Sequence, residues 1–220
     1  MGQLFNIDLY LTAIRETLFM TLTSSLFSYV IGIPLGIALY IYAKDGLCPK
    51  PIIYDILSVI VNIFRSIPFL ILLILVLPIT MFIVHTQIGA ISVIPPLVIS
   101  ATPYIARMVE SSLKEINPGV IEAAKSMGAS NFQIIYKVLL PESKPSLLVG
   151  AAISITTILG YSAMAGAVGG GGLGDVAIRY GYYRYKVDIM MVTVVLLVVI
   201  VQIIQEFFMG LSRKTDKRQS

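Results

Sequence analysis

The chain has 220 residues, of which 57% are hydrophobic and 13% charged, with no Trp and a mean hydropathy of +0.89. These values exclude an ordinary water-soluble domain, and the length leaves no room for a soluble catalytic module beside the apolar segments. The formal charge of +4 would suggest a nucleic-acid partner in a soluble chain; here basic residues beside apolar spans explain it by the positive-inside bias.

Met1 to Glu16 has neither a basic region nor an Ala-x-Ala-like site, so it does not read as a cleavable signal. Asn6 stands where N-myristoylation requires Ser or Thr. The first span is expected over about Thr17 to Tyr42. Within it Gly32 and Gly36, with Pro34 between them, allow another helix to approach closely. The lone Cys48 forms no intrachain disulfide.

The second span, about Ile52 to Val84, is too long for a perpendicular crossing. Its first half places Asp55, Ser58, Asn62 and Arg65 on one polar stripe. Arg65 or Asp55 turned to lipid would cost ~2.5–3.5 kcal/mol each, so the stripe faces protein, water or headgroups. Two readings stay open: an interfacial turn with Arg65 snorkelling, or the inner end of a path or partner contact. Pro68 and Pro78 permit kinks beyond it. His85 follows in the outer turn, with nothing nearby to make a metal site.

The third span, about Ala90 to Met108, carries Pro95, Pro96 and Pro103. Carbonyls freed by proline need protein partners, which places this helix inside the bundle.

After it, Asn117 to Met127 reads as a short amphipathic helix outside the hydrocarbon. Asn117 can cap it with Pro118 at the first position, and Gly128 is a left-handed stop. Val120, Ala123, Ala124 and Met127 fall on one face, with Glu122, Lys125 and Ser126 on the other. About ten residues make ~15 Å, half of what a bilayer core requires. Ser130 and Gln133 stand at capping-box spacing for a second start. The segment suits docking by a partner.

The fourth span, about Ser146 to Val168, contains Ser154, Thr156, Thr157, Tyr161, Ser162 and Met164. Its hydroxyls either bond back to their own helix or line a path. Met164 is either an apolar constriction or packing filler, since a thioether suits both. Gly169, Gly171 and Gly174 form a G-x-G-x-x-G pattern, but a membrane helix rather than a strand precedes it, so it is no dinucleotide fingerprint. These glycines are expected to turn the outer backbone sharply. Arg179 to Lys186 is an aromatic and basic anchor belt or a landing surface. The fifth span covers about Val187 to Met209, and Arg213 to Arg218 forms an inner anchor tail.

With the Asn117–Pro141 loop inside, inner segments carry Lys44, Lys50, Arg107, Lys114, Lys125, Lys137, Lys144, Arg213, Lys214, Lys217 and Arg218. The outer ones carry Arg15, Arg179, Arg184 and Lys186. The imbalance places the N-terminus outside and the C-terminus in the cytoplasm. The chain is thus expected to be one all-α, polytopic membrane domain over 1–220 with five transmembrane helices. Its loop spans about 115–141 and its tail about 211–220.

Glu122-Ala123-Ala124, then Gly128, then Leu140-Pro141 resembles the EAA loop of ABC-importer permeases. Asn62 to Phe69, and Gly160 to Met164 running into Gly169–Gly174, resemble the methionine-importer permeases within that group. The resemblance implies an importer-permease fold and a coupling helix in which Glu122, Ala123, Ala124, Met127 and Gly128 meet a separate ATPase. It also implies a bacterial plasma (inner) membrane, a solute-binding protein outside, and ATP and Mg on the partner subunit, with no cofactor in this chain. The pathway and gate candidates are Met164, Tyr161, Ser162, Asn62, Arg65 and Pro68.

No Gly-Lys pair occurs, hence no Walker A loop, and no carboxylate pair, Cys/His cluster or Ser/His/Asp set stands at chemical spacing. No catalytic activity or metal site is expected. Function is then physical: holding a path and changing its accessibility. Five helices are few to enclose an amino-acid-sized path, and closed two-fold pairing is the commonest oligomer, so a homodimer is expected. Alternatives are a permease for another small amino acid or derivative and, in a different class, an ATP-independent channel or carrier.

Overall fold

The structure is a computed structural model that describes residues 7–216; Lys217 and Arg218 of the expected tail, and Asn6, lie outside the described residues. All regular elements among the described residues are helical. They are α1 (Ile7–Tyr42), α2 (Pro51–Ser66), α3 (Phe69–Val84), α4 (Ala90–Lys114), α5 (Pro118–Ser126), α6 (Asn131–Ile134), α7 (Leu140–Glu142), α8 (Lys144–Ala165), α9 (Gly172–Val176) and α10 (Val187–Thr215). A π turn at Ile135–Leu139 joins α6 to α7, and another at Ala177–Tyr182 continues α9. Helices α1, α4, α8 and α10 are each long and apolar enough to cross a membrane, and the bent pair α2–α3 is so when its two halves are taken together, which makes four spans, or five if that pair is counted as one.

Helix α4 is the centre. Val93, Leu97, Ala101, Ile105, Val109 and Leu113, each four residues after the last, are all buried. The three prolines of this helix are buried too, in keeping with the need of freed carbonyls for protein surroundings. Against it lies α1, whose buried face reads Thr17, Thr21, Ser24, Ser28, Gly32 and Gly36, a seam of small residues at three- and four-residue steps. Lipid tails are as apolar as Leu, so close backbone contact rather than hydrophobicity holds such a pair. A Cβ on Gly32 would lie 2.7 Å from Ile105 Cγ2, and one on Gly36 2.5 Å from the Ala106 carbonyl. The glycine pair therefore serves packing.

The second segment is not one long helix. Helices α2 and α3 are bent by 106° at a two-residue break. Pro68 bars the residue before it from helical geometry, and Ile67 is extended, with φ −80° and ψ 123°. Pro78, by contrast, stays within α3.

Several helices outrun the hydropathy signal. Helix α1 begins at Ile7 rather than near Thr17, α4 runs to Lys114 rather than Met108, and α10 to Thr215 rather than Met209. Hydropathy marks the hydrocarbon layer, whereas a helix continues wherever its polar side chains find partners or water. Helix α10 buries only Ile189, Thr193 and Ser212, so its remaining Val/Ile/Leu surface is suited to lipid. Ser212 Oγ donates to the Pro145 carbonyl at 2.9 Å, which ties the end of α10 to the start of α8.

Candidate coupling loop and translocation face

The loop between α4 and α8 is built by local capping. The Asn117 side chain accepts from the Gly119 N–H at 2.9 Å with Pro118 in the first turn, and α5 follows for nine residues. Gly128 ends it at φ +79°, a left-handed position that disfavours side chains. Ser130 and Gln133 then form a reciprocal capping box: Ser130 Oγ accepts from the Gln133 N–H at 3.3 Å, and Gln133 Oε1 from the Ser130 N–H at 2.8 Å. Pro141 is accommodated by the π turn before it.

The faces of α5 differ from the sequence expectation. Ala124 is only 5% exposed and joins Ile121, Leu113, Ile116 and Ile134 in the main core. Val120, Ala123 and Met127 point outward, Met127 being 81% exposed. Apolar periodicity identifies one stripe, but α5 packs on the bundle through Ala124 and Ile121 alone, which splits the stripe between bundle and outside. Glu122, Lys125, Phe132 and Tyr136 are exposed as well. The loop thus presents apolar and aromatic side chains on an element too short to cross a bilayer.

The polar stripe of α2 is also divided. Arg107 Nη2 of α4 donates to Asn62 Oδ1 at 3.1 Å, to the Ser58 carbonyl at 3.3 Å and to Ser58 Oγ. Its Nη1 pairs with Glu110 Oε2 at 2.7 Å, while Glu110 Oε1 takes Lys114 Nζ at 2.6 Å and the Tyr54 hydroxyl at 3.1 Å. The Glu110 side chain is 4% exposed, and its two cationic partners compensate the burial. Asp55 and Arg65 stay exposed. Arg107, Glu110 and Lys114 stand at helical spacing in the sequence, but spacing alone marks the basic pair as a charge excess and does not show that the carboxylate between them is buried.

Arg65 instead lines a cleft of about 340 Å³ with Tyr104, Met108, Gly150 and Ile153, between the end of α2, α4 and α8. Next to it, Phe69 immediately after Pro68 stacks on Tyr161, with ring centroids 4.6 Å apart and planes 4° from parallel. The bend at Pro68 is therefore clamped to α8. The outward stripe of α8 runs through Ile153, Thr157, Gly160 and Met164 at steps of four, three and four. Met164 is 48% exposed, and a Cβ on Gly160 would meet nothing within 4 Å.

The hydroxyls of α8 bond mainly to their own helix. Ser162 Oγ, buried, donates to the Leu159 carbonyl at 2.7 Å, and Thr156 and Thr157 donate to carbonyls three or four residues back. Ser154 adds a 2.6 Å bond to the Tyr29 hydroxyl of α1. Ser162 thus stands behind the outward stripe, not on it.

At the end of α8 beyond Met164, the glycines allow the chain to double back. A Cβ on Gly166 would lie 2.4 Å from the Gly174 carbonyl carbon, and Gly169, Gly171 and Gly172 all have positive φ. Asp175 is buried and pairs with Arg179. Arg184 lies 4.8 Å from the centre of the Tyr180 ring, and Tyr182, Tyr183 and Tyr185 are exposed. His85 is exposed and caps α3 in a left-handed conformation. Among the described residues no group of three or more His, Cys, Asp or Glu could hold a metal.

Residues 32–215 match the model of a family described as the binding-protein-dependent transport system inner membrane component. The chain is 50% identical over 213 residues to a probable D-methionine transport system permease protein MetI of Vibrio cholerae, covering 97% of this chain and 95% of that one. It is 46% identical over 180 residues to the methionine import system permease protein MetP of Bacillus subtilis, covering 82% and 81%. A solved structure of an inward-facing MetNI methionine ABC transporter superposes with a TM-score of 0.94 at 46% identity, covering 96% of this chain and 98% of the other. With its helices, glycine turn and capped loop between α4 and α8 in this arrangement, the chain belongs to the family of binding-protein-dependent transport system inner membrane components.

Proposed function

We propose that this chain is the membrane-spanning permease subunit of an ATP-driven importer for methionine, working by alternating access as a homodimer with two ATPase subunits and an external solute-binding protein. The observation that carries the coupling is α5: a capped, nine-residue helix with Val120, Ala123 and Met127 turned away from the bundle and Ala124 fastened into it. Ala124 and Ile121 belong to the same apolar cluster as Leu113 of α4, so a force applied to the outward face is passed into the bundle by packed side chains. Coupling of this kind needs contacts that differ between two states, and an outward apolar stripe beside Glu122 offers them. The N-terminus lies outside and the C-terminus in the cytoplasm, on the basic-residue imbalance.

The path runs along the outward stripe of α8, with Met164 as its constriction and the cleft beside Arg65 as its inner mouth. The identities to methionine permeases support methionine as the solute. Reconstitution with the cognate ATPase and solute-binding protein tests the whole reading. Uptake of methionine that requires both, together with ATP, is the expected result; full-rate movement with neither ATPase nor nucleotide refutes it. Retention of a polar amino acid but not methionine by the binding protein refutes the choice of solute alone. In the same system Glu122→Lys uncouples hydrolysis from uptake while membrane insertion is retained; undiminished uptake removes Glu122 from the docking contact.

A further inference from the structure

The outer glycine segment is tied to α1 by side chains that the coupling scheme does not use. Glu16, half-buried on α1, accepts from the Gly172 N–H through Oε2 at 2.6 Å. The next residue, Thr17, accepts from the Leu173 N–H through Oγ1 at 2.9 Å and is itself buried. On the other flank the Gly89 N–H donates to the Gly169 carbonyl at 3.0 Å. The segment that follows Met164 is therefore pinned between the first helix and the start of α4.

Glycine is required here for two reasons. Gly171 and Gly172 have φ of +77° and +75°. A Cβ on Gly171 would also sit 2.7 Å from Glu16 Oε2, and one on Gly172 2.7 Å from Thr17 Oγ1. The backbone approaches the carboxylate this closely only because no side chain intervenes. A hydrogen bond accepted by a carboxylate is shorter and stronger than one accepted by a neutral group, and this one joins residues 156 positions apart.

We infer that Glu16 is a positioning residue for the outer closure of the path, holding the 166–173 segment, and with it the end of α8 that carries Met164, against α1. This rests on the permease reading above. During opening to the outside the Glu16 to Gly172 bond lengthens or breaks, and on closure it resets the segment to one register. The carboxylate touches backbone only and contacts no solute.

The test uses the full complex in proteoliposomes, with a Cys48→Ser, Ala167→Cys background. Ala167 is exposed in the turn between Met164 and the pinned glycines. Glu16→Ala and Glu16→Gln are compared for the rate at which the new thiol reacts with a membrane-impermeant maleimide from outside, without nucleotide. Uptake per ATP and melting temperature are measured alongside. Glu16→Ala is expected to speed labelling about tenfold, equivalent to about 1.4 kcal/mol, and to lower uptake per ATP. Glu16→Gln, which keeps a carbonyl oxygen as acceptor, is expected to restore labelling to within about threefold of the parent.

Unchanged labelling in Glu16→Ala overturns the inference. A lowered melting temperature with unchanged labelling per folded complex also overturns it, because the role is then merely structural. If Glu16→Ala does not assemble, Thr17→Val, which removes the neighbouring acceptor alone, is scored by the same rate: faster labelling supports the clamp and unchanged labelling refutes it. Failure of the unsubstituted complex to import bears on the permease reading, not on Glu16.

Discussion

Glu110 offers a quantitative test of how α2 is held. Its carboxylate takes bonds from Arg107 at 2.7 Å, Lys114 at 2.6 Å and the Tyr54 hydroxyl at 3.1 Å. Removing one partner of a buried pair costs about 3–5 kcal/mol, because the other charge is left without compensation. Lys114 is about half exposed and can turn to water, whereas the Arg107 side chain is 18% exposed and cannot do so fully. Glu110→Ala is therefore placed at the lower end, about 3 kcal/mol, or more than a hundredfold in the opening of α2 from α4. Hydrogen exchange of the α2 amides in the reconstituted complex reads this opening directly. The paired replacement Arg107→Met with Glu110→Leu removes both charges and fills their volume, so its cost should fall well below the sum of the single changes. Additive costs, or α2 amides protected as before in Glu110→Ala, would refute the view that a compensated buried charge fastens this helix.

Three further outcomes follow from the packing. Gly36→Leu drives a side chain into the Ala106 carbonyl and Val109; overpacking of this kind costs about 1–3 kcal/mol, read as a lower melting temperature of the assembled complex, while Gly160→Ala, which meets nothing, leaves that temperature unchanged. Gly128→Val forces a β-branched residue to φ +79°, which costs about 1–3 kcal/mol, and should loosen ATPase co-purification without preventing insertion. Met164→Ala shortens the proposed constriction, so the resting complex should leak solute faster in a flux assay; an unchanged leak removes Met164 as the gate.

Much of this architecture was legible because it rests on local rules. The Asn117 cap, the Ser130–Gln133 box and the left-handed Gly128 each follow from residue type at fixed spacing, and all three are present. The central place of α4 followed from its prolines. What escaped prediction depends on contacts distant in sequence. Arg107 reaches back 49 residues to Ser58, and Glu16 reaches forward 156 to Gly172; the stripe on α2 shows its own period but not the partner it meets, and Glu16 leaves no periodic trace at all. The division of α5 between Ala124 and Met127 escaped for a related reason. A hydrophobic stripe reports which side chains are apolar, not how many of them the bundle can take in, and α5 is held by Ala124 with Val120, Ala123 and Met127 left outside.

The positions of these contacts separate what must stay rigid from what must move. Along α1 and α4 the seam is glycine, serine and threonine against carbonyl and branched side chains, a close fit without adjustable parts. Closely packed interiors respond to strain by switching between discrete arrangements rather than by bending, so α1 and α4 are expected to travel as one body. The charged tether of α2 and the stacking of Phe69 on Tyr161 join that body to the bend at Pro68 and to α8. On the proposed coupling, displacement of α5 enters the apolar cluster through Ala124 and moves the α1–α4 pair relative to the glycines beyond Met164. There the backbone is packed as well, with Leu173 and Val176 buried, but it is fastened to α1 by hydrogen bonds from the Gly172 and Leu173 amides. A hydrogen bond that is broken and remade costs little only if its groups find other partners, so on the proposed mechanism the Gly172 and Leu173 amides must meet water or new acceptors whenever the path opens.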